Sequence, residues 1–158
     1  MSRPLGYFLS WGTYGTRLHG DPRGTVDRAN NDREDPVLGP DEERWEYERG
    51  KMKFSPVILT REQCLFAEST IPANCERGVW KYHTCAAAPD HVHVILASEH
   101  EPKTIRRILK RRLGQAMSEK WHLDAGATWW AECGSIKWLI DSSYFSNAIG
   151  YVSRQRTR

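Results

Sequence analysis

The chain has 158 residues, of which 39% are hydrophobic and 27% charged, enough apolar material for one self-sufficient core. That excludes a disordered tail and a disulfide-stapled miniprotein, and no apolar run approaches the roughly 18–20 residues that cross a bilayer. The net charge of +3 hides an asymmetry: residues 27–48 hold nine acidic and three basic side chains, so the rest of the chain carries +9.

The opening Met1-Ser2-Arg3-Pro4 leads into a short apolar stretch that is too brief for a secretory h-region. No targeting signal is read, and a cytoplasmic location with no membrane association is expected. Residues 5–11 form a run of aromatic and apolar residues ended by Gly12, the pattern of a strand. Residues 12–53 are rich in Gly, Pro, Asp and Glu without sustained periodicity. They read as an acidic loop insertion, at about 20–55, within one domain covering 1–158; a short helix is expected over 41–49. The Thr60-x-x-Gln63 pair has the form of a capping box and predicts a helix over 61–76, with Cys64, Leu65, Ala67 and Ile71 as its apolar positions.

Residues 79–88 and 91–97 are strand-like and separated by Pro89-Asp90, which suits an antiparallel hairpin. Pro102 marks a helix start, after which Ile105, Ile108, Leu109, Leu113, Ala116 and Met117 recur at three- and four-residue intervals. Its basic residues are expected on the opposite side of that apolar stripe. Residues 135–140 read as another strand. A final helix is expected over 142–156, with Phe145, Ala148, Ile149 and Val152 facing inward. The order β, α, β, β, α, β, α implies an α+β domain, an antiparallel sheet with helices packed on one face and a last helix after it. The four cysteines, Cys64, Cys75, Cys85 and Cys133, have no CxxC spacing and read as reduced thiols rather than a zinc site.

Three groups of residues carry candidate chemistry. In Pro89-Asp90-His91-Val92-His93, strand alternation sends both imidazoles to one side and Val92 to the other, so two nitrogens can grip one cation from a rigid platform. Two histidines do not complete a site for a hard divalent metal, which takes about six ligands, mostly oxygens. On the last helix Tyr151 and Gln155 are four residues apart and share a face. Gln155 offers a neutral amide oxygen, and Tyr151 a phenol that becomes nucleophilic once a neighbouring cation favours its ionised form. The third group is the run over 103–112, where Lys103, Arg106, Arg107, Lys110, Arg111 and Arg112 contribute six cations and no anion. Such a run is a solvated helix face or a phosphate-binding surface. Trp129 and Trp130 are either core residues or platforms for unpaired bases.

In this order, a Pro-Asp-His-Val-His strand, a basic helix, a strand and then Tyr-Val-x-x-Gln resemble the single-tyrosine HUH transposases. These are the small transposases of single-strand insertion sequences and their REP-associated relatives. The opening Tyr7-Phe8-Leu9-Ser10-Trp11-Gly12-Thr13-Tyr14-Gly15-Thr16 is similar to the family's first strand and turn, and the likeness covers about residues 4–17 and 79–156. The Asn-Pro often found after the tyrosine in REP-associated relatives is absent, which favours the insertion-sequence type.

The resemblance implies a ferredoxin-like fold, with His91, His93 and Gln155 as ligands of Mg²⁺ or Mn²⁺ and Tyr151 as the nucleophile. It also implies single-stranded or hairpin DNA as partner, cleaved and rejoined through a 5′-phosphotyrosine link. A homodimer is implied as well, in which the tyrosine serves the partner's histidines. Lys103, Arg106, Arg107, Lys110, Arg111 and Arg112 would then contact phosphates. Two other readings of the same residues stay open: a nucleic-acid-binding module of this fold without chemistry, and a structural protein whose histidines merely pack.

Overall fold

The structure, a computed structural model, describes residues 3–16 and 42–158; most of the acidic insertion therefore lies outside the described residues. Strands β1 (Gly6–Gly12), β2 (Lys81–Ala88), β3 (His91–Ala97) and β4 (Ser135–Leu139) form one antiparallel sheet in the order β2-β3-β1-β4. With helices α2 (Arg61–Gly78) and α3 (Pro102–Lys120) between them, this is the split βαβ arrangement of a ferredoxin-like fold. The expected α+β class holds. A short α1 (Glu42–Gly50) lies between β1 and α2 and buries none of its residues, and α4 (Ser142–Arg154) follows the unit.

Helices α2, α3 and α4 begin where side-chain chemistry satisfies their orphan amides. Thr60 Oγ1 accepts from the Gln63 amide at 3.1 Å and Gln63 Oε1 accepts from the Thr60 amide at 2.9 Å, closing the capping box of α2. Glu101 accepts from the amides of Lys103 and Thr104 at the start of α3, with Pro102 in the first turn where no amide is needed. Asp141 accepts from the Tyr144 amide at 2.7 Å and starts α4.

The helices divide between the two faces of the sheet. On one side Leu9, Trp11, Val92, Val94 and Leu96 pack against Ala67 and Ile71 of α2 and Ile105, Leu109, Leu113 and Met117 of α3. Each fully buried Leu, Ile or Val there contributes about 1.5–3 kcal/mol relative to exposure. On the other side Phe8, Ala86, Ile95 and Leu139 meet Phe145, Ala148, Ile149 and Val152 of α4. The inward stripe expected for the last helix is therefore correct, but α4 does not share a face with α2 and α3. Strand alternation leaves a second apolar patch, and α4 is the element available to cover it.

Three local expectations change. Strand β2 begins at Lys81 rather than at residue 79, because Val79 takes a left-handed conformation (φ 59°) and ends α2, its amide bonding back to Cys75 and Glu76 carbonyls. Helix α4 ends at Arg154, and the last residues turn to the free edge of β2. There Thr157 Oγ1 donates to the Ala87 carbonyl at 3.1 Å and Arg156 donates to the Cys85 carbonyl at 3.1 Å. Buried Glu68 of α2 accepts from the Ala87 and Thr157 amides, so the edge strand's polar groups are covered from both sides. Trp129 and Trp130 are buried, donating their indole N–H groups to Ser118 Oγ and to the Lys110 carbonyl. They are core residues, which overturns the stacking alternative.

Candidate functional site on the α4 face of the sheet

Register determines what surrounds the two histidines. His91 lies opposite Gly12 and His93 opposite Ser10 on β1, while Val92 and Val94 point into the other core with no exposed surface. The imidazoles therefore stand side by side on the α4 face, ring centroids 4.5 Å apart. Both are half-buried.

Each ring is oriented through its Nδ1. His91 Nδ1 lies 2.7 Å from Asp90 Oδ1, and His93 Nδ1 lies 2.6 Å from Ser10 Oγ. A carboxylate only accepts, so the neutral His91 ring carries its proton on Nδ1 and its lone pair on Nε2. The Ser10–His93 contact works with either partner as donor; with His93 Nδ1 donating, the second ring takes the same tautomer. An imidazole tied at Nδ1 to an oxygen, with Nε2 turned to the ligand side, is the arrangement found around metal-bound histidines. Ser10 carries no recognisable signal in the sequence as a partner of His93. Only the β1–β3 register joins two residues 83 positions apart.

Helix α4 brings the phenol. Buried Val152 anchors the helix in the Phe8–Ile95–Leu139 cluster, and the Thr84 and Ser153 hydroxyls, 3.1 Å apart, tie its last turn to β2. Tyr151, beside that anchor, is half-exposed; its ring centroid is 6.3 Å from that of His93 and 6.4 Å from that of Phe8. Phe8 also meets His93 edge-on at 5.1 Å, so one buried aromatic ring spaces the imidazole from the phenol. His91, His93 and Tyr151 are thus brought together within one chain. Gln155 occupies the C-cap of α4, one turn beyond Tyr151 and exposed, and its carboxamide makes no hydrogen bond to either imidazole. Among the described residues no three His, Cys, Asp or Glu side chains are grouped so that they could hold a metal ion by themselves. Tyr144, the other tyrosine of α4, is exposed in its first turn, two turns before Tyr151.

The basic helix occupies the opposite face. Lys103, Arg106, Arg107, Lys110 and Arg111 line a cleft of about 660 Å³ between α3 and residues 127–132. They are not equivalent. The Lys110 ammonium donates to the carbonyls of Ala131, Glu132 and Cys133 at 2.6, 3.0 and 3.4 Å; burial, reinforced by neighbouring Arg106, lowers its pKa to about 8. Burial also lowers the Arg106 pKa. Arg112 stands apart from the cleft, with its guanidinium 6.0 Å from the Trp80 ring and one of its nitrogens buried without a hydrogen-bond partner among the described residues.

No protein-family model matches the chain, and no curated protein matches it. Five chains among solved structures do. One of them, described as a "putative transposase" from Deinococcus radiodurans R1, aligns over all of this chain and 95% of its own length, with a TM-score of 0.46 and 14% identity. No helix among the described residues is long and apolar enough to cross a membrane.

Proposed function

We propose that the chain is a transposase-type DNA strand transferase that cuts and rejoins single-stranded DNA through Tyr151. The observation that carries the proposal is the convergence of His91, His93 and Tyr151 on one face of the sheet, with the Tyr151 and His93 rings 6.3 Å apart. His91 and His93 would hold a divalent cation, Mg²⁺ or Mn²⁺, through Nε2, and Gln155 is proposed as an oxygen ligand from the end of α4. The donor chemistry fits: two imidazoles with Nδ1 already engaged, supplemented by neutral oxygens and by the phosphate itself. When bound, such a cation withdraws charge from a phosphate oxygen and favours the ionised phenol.

The chain's own residues do the remainder. Tyr151 loses its proton to solvent and attacks phosphorus; as the Oη–P bond forms, the P–O3′ bond breaks and the departing oxygen takes up a proton. The products are a 5′-phosphotyrosine and a free 3′-OH. One phosphodiester has replaced another, so a 3′-OH can later reverse the exchange onto a new strand without ATP. Asp90 and Ser10 keep the imidazoles in place during both steps. The proposal assigns the tyrosine to its own chain's histidines, and a homodimer would align two such sites. Lys103, Arg106, Arg107 and Arg111 are proposed as phosphate contacts for the single-stranded or hairpin substrate, positioning it without reading bases. Lys110 and Arg112, committed to carbonyls and to Trp80, would add charge at longer range.

The test is a denaturing gel of protein incubated with single-stranded and hairpin oligonucleotides and Mn²⁺. A covalent protein–DNA adduct is expected from the wild type, and none from Tyr151→Phe, His91→Ala or His93→Ala. Adduct from Tyr151→Phe would sink the assignment and turn attention to Tyr144. DNA binding without any adduct would make the chain a binding module.

A further inference from the structure

The basic cleft and the histidine–tyrosine site lie on opposite faces of the sheet, so DNA that touches both must pass around an edge. Strand β2 is closed along its edge by Glu68, Arg156 and Thr157. Strand β4 is the other edge, and it directly follows residues 127–132, which form one wall of the cleft. On β4 the register sets Lys137 opposite Phe8, on the same face as His93 and Tyr151. Lys137 is exposed, yet its ammonium lies over the sheet, 5.7 Å from the centroid of the Phe8 ring. That same ring touches His93 and Tyr151. The ammonium meets no carboxylate among the described residues, whereas exposed Arg3 is paired with Glu99. A cation drawn over an aromatic ring at the rim of a candidate phosphoryl-transfer site, with no anion to neutralise it, is poised for an anionic ligand.

We infer that Lys137 forms a phosphate-binding subsite on the β4 edge, which takes a backbone phosphate of single-stranded DNA as the strand turns from the α3 cleft to Tyr151. This rests on the proposed strand-transfer reading for its substrate, but the binding of phosphate at Lys137 can be measured apart from any chemistry. Nothing in the sequence marks Lys137, which is a lone cation in a five-residue strand.

Two measurements decide it. In the first, thymidine 3′,5′-bisphosphate is titrated calorimetrically into wild type, Lys137→Ala, Lys137→Arg and the remote control Arg77→Ala. The alanine variant should bind about tenfold more weakly, with arginine restoring most of the affinity and the control unchanged. Equal affinity of Lys137→Ala and wild type overturns the subsite. In the second, adduct formation with a single-stranded oligonucleotide and Mn²⁺ is timed. Slower adduct formation by Lys137→Ala, with rescue by Lys137→Arg, supports a role at the reacting phosphate. Unchanged rates with normal bisphosphate binding overturn it. Wild type that forms no adduct counts against the strand-transfer reading alone, and the bisphosphate titration still decides for or against Lys137.

Discussion

Ser10 Oγ and His93 Nδ1 are 2.6 Å apart across the β1–β3 pair, a contact that holds one of the two candidate ligand rings by its far nitrogen. Removing such a partner costs metal-bound histidines about 10- to 100-fold in metal affinity or activity. Ser10→Ala should therefore weaken Mn²⁺ binding by about tenfold or more while leaving the melting temperature within a few degrees. Isothermal titration with Mn²⁺ and a thermal melt check this together. Unchanged Mn²⁺ affinity would mean that the hydroxyl does not orient the ring for a metal.

Val79 is a β-branched residue in the left-handed region, with 87% of its surface exposed. Glycine takes that conformation without the Cβ clash, and little packing is lost with the side chain. Val79→Gly should stabilise the fold by about 1 kcal/mol, read as a higher denaturation midpoint at an unchanged slope in urea. A lower midpoint would show that Val79 makes apolar contacts beyond its exposed position.

Glu68 is buried and its Oε2 accepts from the Ala87 amide at 3.0 Å and the Thr157 amide at 2.9 Å; Thr157 Oγ1 lies 3.2 Å away, its one proton shared with the Ala87 carbonyl. Glu68→Ala leaves those donors without their acceptor and should cost about 2–3 kcal/mol, with Glu68→Gln losing less. Hydrogen exchange should quicken at the Ala87 amide first. Because Thr157 follows Tyr151 by six residues, the same variant should also loosen the end of α4.

Burial raises the Cys75 thiol from its ordinary value near 9 to about 12, and burial also raises Cys64 and Cys85. Between about pH 9 and 12 the folded chain keeps a proton that the unfolded chain has released. The stabilisation is full below pH 9 and is lost as pH climbs toward the folded value, at about 1.4 kcal/mol per pH unit for one such thiol. Lys110 works oppositely: the unfolded chain binds the extra proton between about 8 and 10.5, so its contribution rises over that window and offsets part of the loss. Denaturation under reducing conditions should show stability falling from pH 9 to 11, and Cys75→Ala should flatten the fall. An equally steep decline in that variant would remove Cys75 from the account.

The elements and the starts of the three capped helices were legible because their signals are local. A capping box spans three residues, an amphipathic stripe repeats within four, and the alternation of a strand puts His91 and His93 on one side by itself. Those signals also placed Tyr151 on the last helix and the six cations on α3, whereas Gln155, expected within that helix, falls at its C-cap just past Arg154. What they leave undetermined is anything that depends on how distant elements meet. That α4 covers the histidine face, that Ser10 faces His93 and that Lys137 flanks Phe8 are set by sheet order and register. The division of the basic run, with Lys110 holding carbonyls of the 131–133 segment, follows from packing between α3 and the chain leading to β4. A strand shifted by one residue would present its other face. Such registers are decided by burying both apolar faces of the sheet at once, a requirement no short stretch of sequence contains.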